Sequence, residues 1–424
     1  MGKTPVVYRK KEQVIDAAEN SVTNKVERNR LRAPARSDRC EIKKKCGACQ
    51  LSNMDYERQL KFKQAAAVKM LKRFGHVEEI IGMETPYNYR CKAQYAVRSS
   101  GGKAVTGVYQ SSTGGTAVTD SCYLNDELSN RIVKYLRKLV NELKIPPYNP
   151  KTGKGVLRHI MIRNSAHTGE YMVVLVCRDD YIKNEEKLVK RLCEKFSEIS
   201  TVVLNVSKSA KMTLGSRERV LFGSGTIEDI LCGKRFRISA RSFYQVNPVQ
   251  TEILYNTAIK FAGLTGSERI LDAYCGTGTI GLCAADNVSA IVGAELNSEA
   301  VKDARKNAAL NGIENAVYYE ADSAEYMRKA VRNGEKFDVV FTDPPRAGCS
   351  RTFLEALAVC APQRIVYVSC NPETLARDLG FLVKNGYKVN RIQPVDMFPH
   401  TRHIETVVLL TKKQHSKNAA FGDH

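Results

Sequence analysis

Leu271-Asp272-Ala273-Tyr274-Cys275-Gly276-Thr277-Gly278-Thr279 sets the architecture of the C-terminal half of this 424-residue chain. A short apolar run, residues 269–274, ends in a Gly-x-Gly turn, and a helical pattern follows. Gly276 and Gly278 let the backbone turn tightly and approach a ligand at the carboxyl edge of a sheet. Glu295 closes the next run, 290–295, where an acidic side chain can accept hydrogen bonds from both hydroxyls of an adenosine ribose. Asp322 follows the third run, 316–321. It is placed either to reach an adenine edge or to cap the helix after it.

Further runs at 338–342 and 364–369 alternate with helical stretches, which predicts a parallel, doubly wound sheet. The last two strands, 387–394 and 404–411, are joined by too short a connection for a crossover helix and should pair antiparallel. Seven strands with an antiparallel final pair is an α/β architecture, that of the class I (Rossmann-like) methyltransferases. A plain dinucleotide-binding sheet would finish parallel.

Two segments at the same sheet edge carry the chemistry. In Phe341-Thr342-Asp343-Pro344-Pro345-Arg346-Ala347-Gly348 the prolines stiffen the chain and hold Asp343 over the cleft. Methyltransferases of exocyclic amines carry an aromatic residue after such prolines, and Arg346 in its place disfavours amine chemistry. Val368-Ser369-Cys370-Asn371-Pro372-Glu373-Thr374 ends the fifth strand. Cys370 alone would read as a core cysteine. His403-Ile404-Glu405 changes that reading, since period two in the last strand points His403 and Glu405 to one face. A thiol and a carboxylate together suit methylation at carbon 5 of uracil, a carbon too weakly nucleophilic to attack a methyl sulfonium unaided. A thiolate adds to carbon 6, the enolate accepts the methyl, and a base takes the carbon 5 proton. Cys370 is the predicted nucleophile and Glu405 the base. A cationic neighbour such as Arg346 is expected to favour the thiolate.

Lys and Arg outnumber Asp and Glu by 66 to 45, a net charge of +21, which points to a polyanionic partner and favours RNA or DNA over an acidic membrane. No apolar run reaches the ~18 residues of a membrane span and the start lacks a signal peptide, so a cytoplasmic protein is expected. Thirteen cysteines in such a setting argue for metal binding or catalysis over disulfides.

The organisation read from the sequence is a flexible basic arm over 1–39, a cysteine-cluster segment and helix over 40–88, an α+β RNA-binding middle domain over 89–240, a methyltransferase domain over 241–412 and a tail over 413–424. In the helix at 54–74, Leu60, Phe62, Ala66, Val68 and Leu71 suit one face. In the middle domain Arg90, Lys92, Arg98, Arg158 and Arg163 suit an RNA-facing surface. Cys40, Cys46 and Cys49 supply three soft ligands. Cys122 is the chosen fourth and Cys91 its rival, and the spacing fits zinc or an iron–sulfur cluster equally.

The segments Arg241-Ser242-Phe243-Tyr244-Gln245-Val246-Asn247-Pro248, 272–279, 343–348, 369–374 and 403–406, occurring in this order, resemble the RNA uracil-5-methyltransferase family. The resemblance implies S-adenosylmethionine as methyl donor, Gln245, Tyr274, Thr279, Glu295 and Asp343 as cofactor or site contacts, Cys370 as nucleophile and Glu405 as proton acceptor. The ribosomal RNA branch of that family has a similar cysteine cluster holding a 4Fe-4S centre, which implies iron over zinc and 23S rRNA over tRNA as substrate. The chain is expected to act as a monomer. It departs from relatives in lacking room for an N-terminal RNA-binding barrel and in carrying Cys91 where they tend to have Asn. The rival readings are an RNA cytosine-5 methyltransferase, which would carry Cys where Arg346 stands, and a non-catalytic RNA-binding module, which would not need Cys370 and Glu405.

Overall fold

The computed structural model describes residues 40–110, 113–209 and 213–413, so the basic arm over 1–39 and the tail from 414 lie outside the described residues. The cysteine segment contains a single helical turn, α1 (Lys43–Cys46), and leads into α2 (Tyr56–Leu71), which Asp55 caps by accepting from the Arg58 amide. The face α2 buries differs from the expected one. Gln59, Lys63, Ala67 and Leu71 point inward at a spacing of four, while Phe62 is 41% exposed. The partner of its first turns is a loop of backbone carbonyls and an aspartate, so the buried side chains there are polar.

The first sheet is built from β1 (Lys92–Ser100), β2 (Lys103–Tyr109), β3 (Thr116–Val118), β4 (Leu157–Asn164), β5 (Tyr171–Cys177), β6 (Ile199–Val206) and β7 (Arg217–Phe222), in the order β3-β2-β1-β4-β5-β6-β7. All its pairs are antiparallel except β5 and β6. The helices α3 (Glu127–Glu142) and α4 (Glu185–Lys195) cover one face, with Ile132, Leu136 and Leu192 packed on Ile160 and Val173. The other face carries Met161, Val174 and Val203 into a second core. There they meet the hairpin of β8 (Thr226–Leu231) and β9 (Lys234–Ser239) and the helix α5 (Pro248–Ala262).

With both faces covered, every residue of β4 and β5 is buried. This corrects the RNA-facing surface. Arg163 is 3% exposed and donates to the carbonyls of Ser239 and Ser242, and Arg158, 4% exposed, donates to the Ser209 carbonyl. Arg90, Lys92 and Arg98 are each only partly exposed.

The second sheet contains β10 (Arg269–Ala273), β11 (Ala290–Glu295), β12 (Ala316–Glu320), β13 (Val339–Thr342), β14 (Arg364–Ser369), β15 (Tyr387–Val395) and β16 (Glu405–Lys412), in the order β12-β11-β10-β13-β14-β16-β15. The first five run parallel, and β16 is antiparallel to both β14 and β15. The helices α6 (Thr279–Ala284), α7 (Ser298–Leu310), α8 (Ser323–Arg332), α9 (Arg351–Cys360) and α10 (Pro372–Lys384) connect its strands. One face joins the shared core through Ile270, Val366 and Val407, and the other packs on α8, α9, α10 and the end of α2. The strand order reverses direction beside β10, which places a crevice at the carboxyl ends of β10 and β13.

Candidate active site

The Gly-rich turn begins at the end of β10. Tyr274 takes a left-handed conformation, φ 62°, that L side chains rarely hold, a strain typical of functional turns. Its amide donates to Ser323 Oγ at 3.0 Å and its ring lies edge-on to Phe353. Gly278 caps α6 at φ 77°, and a Cβ there would come within 2.8 Å of the Tyr318 hydroxyl, so glycine is required. Thr279 Oγ1 lies 3.3 Å from Tyr255 Oη of α5. Glu295, at the end of β11, accepts from the Gly276 amide at 3.2 Å and the Asn297 amide at 2.8 Å, which turns its carboxylate into the loop. Asp322 caps α8, accepting from the Ala324 and Glu325 amides; of its two readings, the capping bond is the one the structure displays. Gln245 is half-buried, and its carbonyl accepts from Cys91 Sγ at 3.3 Å.

Asp343 follows β13, with its amide directed at the Ala273 carbonyl, and burial pushes its carboxyl up to about 7. Cys370 follows β14. Ser369 pairs with Thr406 at the end of the antiparallel ladder, so Cys370, just after β14, and Glu405, the first residue of β16, are each one step beyond that last pair, close enough for Glu405 to raise the thiol. Glu405 is 5% exposed and its carboxyl is pushed well above the usual range by burial and by Asp343, with Arg346 opposing. The Cys370 thiol is pushed up to about 11, first by burial, then by Glu405 and Asp343. Arg346 again opposes, and loses. The expected help from Arg346 is therefore present in direction, but in the protein without its donor burial and two neighbouring carboxyls outweigh the one guanidinium.

Arg346 is held from behind. Asn371 Nδ2 and Thr374 Oγ1 donate to its carbonyl at 3.1 and 3.2 Å, and its guanidinium meets His403. His403 precedes β16, so the shared strand face expected for His403 and Glu405 does not exist. The loop after Arg346 docks on α10 through Arg377, which donates to the carbonyls of Ala347 and Cys349, and through Asp378, which accepts from the Cys349 amide.

The loop leading to Glu405 is fixed by residues the sequence reading gave no role. Lys63 Nζ reaches Asp396 Oδ1 at 2.5 Å with both side chains fully buried, and donates to the Phe398 carbonyl. Tyr56 donates to Asp396, Gln59 bonds the side chain and amide of His400, and Asn247 and Gln250 donate to the carbonyls of Met397 and Asp396. The spacing of Gln59 and Lys63 by four was available in the sequence, but polar residues at that spacing ordinarily mark a solvated face.

The cysteine segment adjoins this loop: the Leu51 amide donates to the His400 carbonyl at 3.0 Å. Burial pushes the Cys49 thiol up to about 12, with the charges of Cys122, Cys46 and Cys40 adding to it, and Cys40 is likewise raised by burial, Cys122 and Cys46. The four thiols thus converge electrostatically, and their soft donor set fits a thiophilic metal centre. Among the described residues, however, no three or more His, Cys, Asp or Glu side chains close to the spacing of a metal-ligand shell. Cys91, the rival fourth ligand, is buried elsewhere, donating to Gln245.

A seven-stranded sheet with an antiparallel terminal pair, and with a Gly-rich turn and acidic side chains gathered at its carboxyl edge, defines a class I S-adenosylmethionine-dependent methyltransferase. Within that class the chain belongs to the tRNA (uracil-5-)-methyltransferase family, whose sequence model matches residues 55–413, and is thus an RNA methyltransferase of the uracil-5 type. It is 43% identical over 381 residues to an uncharacterised RNA methyltransferase of Clostridium acetobutylicum, covering 88% of this chain and 83% of the relative. It is 42% identical over 378 residues to another of Caldanaerobacter subterraneus, covering 88% and 84%. The crystal structure of Pyrococcus abyssi tRNA (uracil-54, C5)-methyltransferase in complex with S-adenosyl-L-homocysteine superposes with a TM-score of 0.72 at 28% identity, covering 87% of this chain and 86% of that one.

Proposed function

We propose that the chain methylates carbon 5 of a specific uridine in 23S rRNA, with Cys370 as covalent nucleophile and Glu405 as proton acceptor. The reading is supported by the seating of Cys370 and Glu405 one step beyond the last pair of adjacent antiparallel strands, with Asp343 and Arg346 close enough to set their protonation. Bound S-adenosylmethionine supplies the electrophilic methyl group and a sulfonium charge. Tyr274, Thr279, Glu295 and Asp322 are the proposed side chains of its adenosine end, with Gln245 and Asp343 facing the reacting groups. Arg346 favours the ionised forms of Cys370 and Glu405, and the positive donor adds to that effect.

The thiolate fraction of Cys370, its proton released to solvent, adds to carbon 6, and the C5–C6 π electrons move towards the carbon 4 oxygen. Carbon 5 of this enolate takes the methyl group as the sulfonium S–CH3 bond breaks, its electron pair staying on the sulfur of the departing S-adenosylhomocysteine. Glu405 removes the carbon 5 proton, the C5–C6 double bond re-forms and the Cys370 thiolate leaves. The target base must be extruded from the RNA stack to reach this pocket. The chain is proposed to act on RNA as a monomer in the cytoplasm.

Cys40, Cys46, Cys49 and Cys122 are the proposed ligands of a 4Fe-4S cluster, with zinc the other metal their donors suit. Its role would be to hold the segment against the loop before Glu405, since methyl transfer moves no electrons. The cysteine set also supports rRNA as substrate, through its likeness to that of the ribosomal branch. A tRNA substrate is the second reading, favoured by the name of the matching family and of the Pyrococcus enzyme.

Cys370→Ala should abolish methylation while leaving donor binding intact, and Glu405→Gln should accumulate a covalent RNA adduct visible on a denaturing gel. Turnover by the alanine variant would remove the nucleophile. Mapping 5-methyluridine in rRNA and tRNA from cells lacking the gene separates the two substrates.

A further inference from the structure

Burial of Arg158 and Arg163 removes two of the five cations from the RNA-facing surface expected of the middle region, and a separate basic groove is present in it. A groove of about 650 Å³ lies between α3, the end of α4 and the start of β2. Along α3, Arg131, Lys134 and Lys138 are exposed at spacings of three and four, so they line one stripe of the helix. Lys103 and Lys195 join them in the groove wall. Its floor is aromatic: the half-buried Tyr135 ring meets Phe196 edge-on at 5.6 Å, and the Arg131 guanidinium stands 6.0 Å from the Phe196 ring.

Of this stripe, among the described residues, only Lys138 has an acidic partner nearby. Glu142 is held by Arg191 at 2.6 Å and shared with Lys138 at 3.6 Å, and Asp120 is taken by Arg137 at 2.7 Å. Among the described residues Lys103, Arg131, Lys134 and Lys195 have no acidic partner. Several unpaired cations sharing one concave wall repel each other, and a polyanion relieves that repulsion. Cations beside a π face are the combination that holds single-stranded nucleic acid, backbone on the charges and base on the ring.

The position of the groove fixes what part of the RNA it can take. The helix α3 packs on the face of the first sheet opposite the core shared with the second sheet, which carries Cys370 and Glu405. The reacting uridine cannot be there. We propose that this groove is a second RNA-binding site that grips a single-stranded stretch of the substrate RNA outside the target nucleotide. The proposal rests on the reading of the chain as an RNA-modifying enzyme and adds where the rest of the RNA is held.

The test compares the wild-type protein with Arg131→Gln/Lys134→Gln, two exposed sites whose exchange should leave the melting temperature unchanged, and with Tyr135→Leu. Binding of a labelled 30-nucleotide oligouridine is followed by fluorescence anisotropy across a salt series. Losing two phosphate contacts should lower affinity about tenfold near 0.15 M salt and reduce the log–log salt slope by about 1.4. Tyr135→Leu should weaken binding several-fold with an unchanged slope, because stacking carries no counterion release. With total RNA from cells lacking the gene as methyl acceptor, the double variant should raise KM and leave kcat alone. Wild-type affinity and slope in the double variant would overturn the proposal. So would a loss confined to polyglutamate, which would mark an acidic protein as the occupant. If the wild type methylates no uridine but still loses oligouridine binding through these changes, the catalytic reading fails and the groove stands.

Discussion

The protonation of Cys370 gives the most direct check on the site. Its thiol is raised to about 11 by burial, Glu405 and Asp343. An ordinary cysteine near 8.5 is roughly one-tenth thiolate at pH 7.5, whereas a thiol at about 11 is ionised only to ~3 parts in 10,000, a deficit of about 300-fold. The more basic thiolate is also the better nucleophile, and a Brønsted slope of about 0.45 returns roughly tenfold of that. Iodoacetamide should therefore alkylate Cys370 at least about twentyfold more slowly than a free exposed cysteine at pH 7.5. Its rate should climb about tenfold per pH unit up to pH 10. Peptide mass spectrometry resolves Cys370 from the other twelve cysteines. Arg346→Gln should slow the reaction further and Asp343→Asn should speed it, since these are the charges that lower and raise the thiol. S-adenosylmethionine should accelerate alkylation more than S-adenosylhomocysteine, which lacks the sulfonium charge. A rate that levels off below pH 8 in the free protein would show that the pocket stabilises thiolate, and would refute the reasoning.

Asp343 is predicted to cost stability at neutral pH. Its folded-state carboxyl is raised from 3.8 to about 7, so the native protein keeps a proton that the unfolded chain gives up, and stability falls as pH rises through that window. Asp343→Asn should be more stable than wild type by about 2–4 kcal/mol at pH 8 and no different near pH 4, read from melting curves; equal curves at pH 8 would contradict the burial argument. Lys63→Met should lose about 3–5 kcal/mol in urea unfolding, because it strands the buried Asp396 carboxylate, and Lys63→Met/Asp396→Asn should recover much of that loss. Gly348→Ala should reduce kcat about tenfold or more with little change in donor binding. Gly348 sits at φ 76° and an added Cβ would lie 2.6 Å from Asp378 Oδ2 and Arg377 Nη2, so the loop carrying Arg346 must move, at about 1–2 kcal/mol or more.

Local pattern was enough for much of this. The parallel runs, the antiparallel final pair and the placement of Asp343, Cys370 and Glu405 at strand ends all follow from period-two and turn signals that act over a few residues. Segments 269–274 and 364–369 became β10 and β14 almost residue for residue, because a buried parallel strand needs a continuous apolar run and little else does. The methyltransferase class rests on such signals, and so does the proposal of Cys370 and Glu405 as nucleophile and base.

What local pattern could not give was which charges are covered. Arg158 and Arg163 flank an apolar run as the solvated ends of a strand do, yet the folded chain covers both, and Lys63 faces inward because Asp396, far along the chain, waits there. The same cause governs Cys370: a sequence shows that Arg346 is present, but whether one cation outweighs two buried carboxyls depends on distance and desolvation, which exist only once both sheets are packed. Residue order carries the periodicities that make strands, helices and turns. Burial and long-range charge pairing belong to the folded whole, because the free energy of a charge depends on everything around it and not on its neighbours in the chain.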